Sequence, residues 1–328
     1  MTSTPLLLAL DFGGTKLTAA LTHPGEHTWL AHRRFFLPSG VDGRYEYDTM
    51  LDLAHDLIEE AGRQPAAIGA SFGGPVYARQ GLVRRSFHTP GWENTPLAEW
   101  LAAELKAPAA VDNDANAAAL GEFRFGAGQN CRHLLYVTVS TGIGGGWIIN
   151  GQPYAGADGM AGEIGHLTVQ PGGFTCPCGR RGCLEAEASG PAMAHRARLY
   201  LAKKKDKSGQ SPGRGKRLLQ LAEGKPEKIT AQLIAQAAAE GDKLSQRVIR
   251  ESAERLGWGL AGALALMNPD RVILGGGVSK SGEMWWQTVY DATRARTNAE
   301  TSVEIVPAAL GDDAPLWGAA ALAKEMLR

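Results

Sequence analysis

One pattern in this sequence occurs twice and limits the folds open to it. The run L-L-L-A-L-D-F-G-G-T-K-L-T-A-A-L, from Leu6, reads as a strand, a glycine turn and a second strand. The run L-L-Y-V-T-V-S-T-G-I-G-G-G-W-I-I-N-G, from Leu134, reads the same way. Each tip carries a hydroxyl beside its glycines, Thr15 in the first and Ser140 with Thr141 in the second. Two such hairpins half a chain apart predict a duplicated α/β domain; two unrelated glycine hairpins are the simpler alternative. At 328 residues the chain exceeds what one core usually supports, which also favours two lobes.

The turns suggest anion binding. D-F-G-G-T-K lacks the G-x-x-x-x-G-K-[ST] spacing of a Walker A loop. A hairpin can still cradle phosphate, because Gly13 and Gly14 let backbone N–H groups approach while Thr15 and Lys16 add donors. Asp11, at the strand end, has the chemistry to hold magnesium. In the second turn Thr141, Gly142, Ile143 and Gly144 would form the matching cradle. A strand, W-I-I-N-G, follows it, whereas a dinucleotide fingerprint requires a helix there. A third glycine run, L-G-G-G-V with Gly275, Gly276 and Gly277, leaves a strand for a helix start and would flank a nucleotide's sugar and base.

Two further motifs carry chemistry. V-D-N-D-A-N places Asp112, Asn113 and Asp114 at a strand-to-helix junction, where one such residue suffices for capping and three in a row suggest a catalytic carboxylate. His166 is followed by Cys176, Cys178 and Cys183 in the spacing His-x9-Cys-x-Cys-x4-Cys. One imidazole and three thiols form the closed ligand set of a structural zinc site, with no position left to activate water. Glu163 and Glu185 bracket this cluster, as acids that such a metal would hold in place. The remaining histidines read as surface or loop residues.

Composition excludes several classes. Lys plus Arg and Asp plus Glu number 34 each, and this neutrality argues against nucleic acid as the main partner. Three clustered cysteines and a lone Cys131 form no secreted disulfide framework, so a reducing, cytoplasmic setting is expected. Leu6–Leu10 is too short for a signal peptide or a membrane span. The basic tract Lys203–Arg217 reads as a solvated, mobile loop, and with no aromatic residue interleaved it is not read as a nucleic-acid patch. Helices are expected near Tyr47–Ala61, Pro96–Leu105, Asp242–Leu266 and Ala314–Leu327, with strands near Ile68 and ending at Asp112.

Taken together, D-F-G-G-T-K, N-D-A-N, S-T-G-I-G-G-G, E-I-G-H, C-P-C-G-R-R-G-C-L-E and L-G-G-G-V resemble, nearly end to end, the ROK family of bacterial sugar kinases and sugar-responsive repressors. The resemblance implies the actin-like ATPase, ribonuclease-H-like fold: a duplicated α/β fold of two lobes with an interlobe cleft. The small lobe is expected at residues 1–115 plus helix 314–328. The larger lobe is expected at 116–313, with the zinc site and an insertion at 203–217. The resemblance also implies ATP-dependent phosphorylation of a hexose at the 6-hydroxyl, with Mg2+ and a structural Zn2+, by a homodimer. Motif by motif, Asp114 matches the general base, and Asn113, Glu163, His166, Glu185 and Gly74 match sugar contacts, His166 also being a zinc ligand. F-R-F-G-A-G and E-I-G-H-L-T-V resemble the family's glucokinases, which implies glucose as substrate and glucose 6-phosphate as product. N-acetylglucosamine, N-acetylmannosamine and other hexose kinases share these residues. A silent sugar sensor is the rival from another class, and the intact N-D-A-N argues against it. A repressor would carry a DNA-binding domain before the first turn, where only ten residues stand.

Overall fold

In the computed structural model, residues 4–86, 88–202 and 215–327 are described. The first sheet follows from six consecutive buried residues in β1 (Leu7–Phe12) and six more in β4 (Ala67–Phe72). Strands buried on both faces read as unbroken apolar runs and take the centre of a sheet. Around them lie β2 (Lys16–Thr22), β3 (Ala31–Phe36) and β7 (Ala109–Asn113), in the order β3-β2-β1-β4-β7. β1, β4 and β7 run parallel, while β2 and β3 are antiparallel to their neighbours. A small ribbon, β5 (Val76–Tyr77) with β6 (Leu82–Val83), stands between β4 and β7 in the chain.

Helices cover both faces of this sheet. On one, Leu8, Leu10, Phe12, Leu17 and Phe72 pack against Tyr47, Met50 and Leu57 of α1 (Gly43–Ala61) and Leu97, Leu101 and Leu105 of α2 (Leu97–Leu105). On the other, Ala9 and Ala20 meet Leu316, Trp317 and Ala319 of α10 (Ala314–Glu325), and α3 (Asp114–Phe125) lies alongside α10. Small residues there let backbones touch: a methyl on Gly69 would lie 1.8 Å from the Ala319 carbonyl, and one on Gly318 would lie 1.8 Å from that of Ala117. The chain enters α10 past Glu122 of α3, a wholly buried acid that accepts the N–H groups of Ala127 (2.8 Å), Ala309 (3.2 Å) and Leu310 (2.8 Å).

A second five-stranded sheet repeats the strand order of the first. It comprises β8 (Leu134–Val139), β9 (Ile143–Ile149), β10 (Gln152–Tyr154), β11 (Arg271–Gly275) and β12 (Glu304–Pro307), arranged β10-β9-β8-β11-β12. Numbered within its own half, each sheet reads 3-2-1-4-5, as duplication of one unit requires. Among the described residues, the helices between β10 and β12 are α4 (Leu184–Ala188), α5 (Gly190–Ala202), α6 (Lys216–Leu221), α7 (Ala231–Ala239), α8 (Lys243–Met267) and α9 (Glu283–Arg294).

The chain divides into two compact units, one of residues 1–136, 146–162 and 308–328, the other of 137–145 and 163–307. Helix α3, which lies beyond the boundary expected at residue 115, belongs to the first unit because it packs on α10. Residues 203–214 of the basic tract lie outside the described residues. Its last two members do not form part of a loop: Lys216 and Arg217 open α6, and Arg217 pairs with Glu240. Among the described residues no helix is long and apolar enough to cross a membrane.

Candidate active site

In the first unit, strand register brings the polar residues together. Asp11 pairs with Ser71, and Ser71 with Asp112, so three polar side chains stand in one row. The row lies near the carboxyl ends of three parallel strands, where α/β folds place their ligands. Burial pushes the Asp11 carboxyl up to about 7; the Ser71 hydroxyl and Lys16 oppose this, and Asp114 and Asp313 add to it. The turn beyond β1 is closed by the Gly13 N–H donating to the Lys16 carbonyl at 3.1 Å.

Asp114 opens α3, held by the residue before it. The side-chain oxygen of Asn113 caps the helix, accepting the N–H groups of Ala115 (2.9 Å) and Asn116 (3.4 Å). Its amide donates to the Gly74 carbonyl at 3.0 Å and to Asp114 Oδ1 at 2.9 Å. The Ala115 N–H also reaches Asp114 Oδ1, at 2.9 Å. Burial raises the Asp114 carboxyl to about 6, against those hydrogen bonds and the charge of His88. Asp112 is the structural member of the trio: it is buried, its carboxyl is raised by that burial, and it accepts from the Asn113 N–H (2.7 Å) and the Asn116 amide (3.0 Å). Asp11, Gly13, Gly14, Gly74, Asn113 and Asp114 thus gather at one end of the first sheet. His88, in the loop before α2, joins them, since a methyl on Gly14 would lie 2.9 Å from its ring. Nothing in S-F-H-T-P-G-W marks this histidine at sequence level, because the tract has no periodicity and its neighbours lie far away in the chain.

In the second unit three motifs converge. Glu185 Oε2 accepts the N–H of Ile143 at 3.0 Å, joining G-C-L-E to the second glycine turn. Gly165 of E-I-G-H backs onto the same residue, and a methyl there would lie 2.0 Å from the Ile143 carbonyl. The third glycine run also reaches this turn, with Gly276 (φ 83°) packed against the carbonyl of Val139. The helix start expected after it is a short 3₁₀ turn, Gly277–Lys280, ahead of α9.

The ligand atoms of His166, Cys176, Cys178 and Cys183 all lie within 4.8 Å of one another. His166 Nδ1 is 3.7 Å from Cys176 Sγ, and Cys178 Sγ is 3.6 Å from Cys183 Sγ. Tetrahedral zinc with bonds of about 2.3 Å would separate its ligands by about 3.8 Å, so the cluster fits such an ion. Burial pushes Cys176 up to about 12, while the backbone N–H and then the guanidinium of Arg180 draw Cys178 down to about 6. A dication among them would hold all three as thiolates. The other ring nitrogen of His166, Nε2, faces Glu163 Oε2 at 3.7 Å, so a metal held on Nδ1 would leave the carboxylate on the opposite side of the imidazole. A buried ion pair braces the knuckle: Arg196 holds Glu187 at 2.6 Å, and Glu187 accepts the Phe174 N–H at 2.7 Å.

Two sheets of one strand order, each opened by a glycine-tipped hairpin, define the actin-like ATPase fold. The chain belongs to the ROK family, whose sequence model matches residues 7–326. It is similar to a glucokinase of Thermotoga maritima, with 32% identity over 98% of each chain. Among solved structures it resembles a ROK family glucokinase from Streptomyces griseus in complex with glucose and AMPPNP, at 32% identity and TM-score 0.82, covering 98% of this chain and 99% of that one. A ROK hexokinase from Thermus thermophilus is similarly close, at 32% identity and TM-score 0.81 over 98% and 99% of the two chains. Fold and family make the protein an ATP-dependent sugar kinase.

Proposed function

We propose that the protein transfers the γ-phosphoryl group of ATP to the 6-hydroxyl of a hexose, with glucose the preferred acceptor and glucose 6-phosphate the product. The observation that carries this reading is Asp114, a carboxyl raised to about 6 at the strand-to-helix junction beside the first glycine turn and oriented by the Asn113 amide. A base of that pKa is ionised at neutral pH yet basic enough to take a hydroxyl proton. Asp114 accepts that proton as the bond from O6 to phosphorus forms and the bond to ADP breaks. The similarity to glucokinases over nearly the whole chain supports glucose.

Other residues hold the reactants. Asp11, Gly13, Gly14, Thr15 and Lys16 take the phosphates, and Mg2+ at Asp11 favours the ionised form that burial opposes. Thr141, Gly142, Ile143 and Gly144 form the second phosphate turn, and Gly275, Gly276 and Gly277 flank the nucleoside. Glu163, His166, Glu185 and the Gly74 backbone contact sugar hydroxyls. Asn113 contacts the sugar as well, and its amide, bonded to Gly74 and Asp114, orients these two. Zn2+ on His166, Cys176, Cys178 and Cys183 braces the segment that carries the glutamates. A homodimer is proposed on the family resemblance alone, and a cytoplasmic setting on the cysteine usage.

A coupled ADP-release assay across glucose, mannose, fructose, allose, N-acetylglucosamine and N-acetylmannosamine tests the reading. The expected result is the highest kcat/KM for glucose. A higher value for an N-acetylhexosamine would reassign the substrate, and no ADP release with any sugar would point to a sensor.

A further inference from the structure

The loop between β6 and α2 is anchored more firmly than its exposed position requires. Glu46, on α1, is 4% exposed, and its two carboxylate oxygens accept the Thr89 hydroxyl and the Trp92 indole N–H, each at 2.6 Å. Thr89 and Trp92 are themselves buried, and the Gly43 N–H adds a bond to the Pro90 carbonyl at 2.7 Å. Nearer the tip, the Ser86 hydroxyl accepts the N–H groups of His88 (3.2 Å) and Thr89 (3.1 Å). An acid held in the core thus fixes the loop by the residues around His88, and the His88 side chain stays exposed.

His88 faces two parts of the reaction at once. A methyl on Gly14 would lie 2.9 Å from ring carbon Cδ2 and 3.2 Å from Cγ, so the imidazole lies over the first glycine turn. The same ring is near enough to Asp114 to be among the groups that draw its carboxyl back down against burial. A phosphoryl group passing from that turn to a hydroxyl at Asp114 crosses the space the ring borders. Charge spreads over the equatorial oxygens of such a group in transit, and a prepositioned donor lowers the barrier.

We propose that His88 is a further catalytic residue of the kinase reaction, its ring N–H donating a hydrogen bond to an oxygen of the phosphoryl group in transit. The role rests on the reading of Asp114 as base and Gly13–Gly14 as phosphate turn. His88 only donates a hydrogen bond and transfers no proton; the hydroxyl proton goes to Asp114, and ADP leaves with the electron pair of the broken bond.

The test compares wild type with His88→Ala, His88→Asn and Asp114→Asn, reading kcat, KM for glucose and for MgATP, and melting temperature. Removing one such donor costs about 10² to 10³ where it is fully enclosed, so at an exposed ring His88→Ala should lose at least about 10-fold in kcat. Both KM values should stay within about threefold and the melting temperature should not move, because this role is confined to the transition state. His88→Asn keeps an N–H donor and should recover most of the lost turnover. A kcat for His88→Ala within about twofold of wild type overturns the proposal, as does a loss seen mainly in KM or melting temperature, or one that Asn fails to restore. If wild type turns over, Asp114→Asn does not and His88→Ala is normal, only this inference fails. If wild type phosphorylates no hexose, or Asp114→Asn turns over normally, the kinase-site reading fails and the role of His88 falls with it.

Discussion

Asp114 shows how neighbours set both the direction and the acidity of one side chain. The Asn113 amide and the Ala115 N–H both hold its Oδ1, which fixes direction, while burial lifts its pKa to about 6. The two effects oppose each other on acidity and cooperate on geometry. Asp114→Asn keeps the hydrogen-bond acceptor and removes the base, so turnover should fall by about 10² to 10⁴ or more while glucose still binds. Steady-state kinetics with calorimetric titration of glucose checks this, and near-normal turnover would remove Asp114 from the mechanism. The same carboxyl should give wild type an acid limb in kcat/KM, falling about tenfold per unit as pH drops below about 6. V-D-N-D stands out in the sequence because three capping-type residues, Asp112, Asn113 and Asp114, stand where one would serve. The separate hydrogen-bond partners of Asp112, Asn113 and Asp114 were not legible there, since they include groups such as Gly74, a strand away.

At the scale of elements, the knuckle after β10 ties the cluster of His166, Cys176, Cys178 and Cys183 to the second glycine turn. Its ligand spacing was readable because zinc sites are local in sequence, and so was each strand–turn–strand hairpin. What no local pattern disclosed is that Gly165 and Glu185 both close on Ile143. That contact links the carbonyl and N–H of one turn residue to two motifs well downstream. If the cluster holds zinc, full chelation should lower the melting temperature and raise KM for glucose, since metal binding and local folding are one equilibrium. KM for MgATP should rise too, because Glu185 would no longer steady the Ile143 N–H. Readdition of zinc should reverse all three. Unchanged melting temperature and KM values after metal analysis shows full removal would sink the brace.

For the whole molecule, the buried acids set a conflict between stability and function. Asp11 is raised to about 7 and Asp114 to about 6, so the folded chain holds these protons more tightly than the unfolded one. Their stabilising contribution is complete below about pH 4 and fades as pH rises through 6 and 7. Each tenfold gain in proton affinity on folding is worth at most about 1.4 kcal/mol. Asp11→Asn should therefore melt higher than wild type at pH 8, with the gap closing towards pH 5 and shrinking when MgATP is bound. Thermal scans across that range would refute the account if the gap were absent or grew at low pH. The repeated strand order could be anticipated from the two hairpins, whereas the place of α10 could not, because it rests on backbone contacts far apart in the chain. The seating of that helix on Gly69 also sets a schedule for biogenesis. β1, β4 and β7 leave the ribosome long before α10 does, so the face bearing Ala9, Gly69 and the Asp11 row waits uncovered during synthesis. The first unit to be translated is therefore among the last to be completed, because its closure is non-local in sequence.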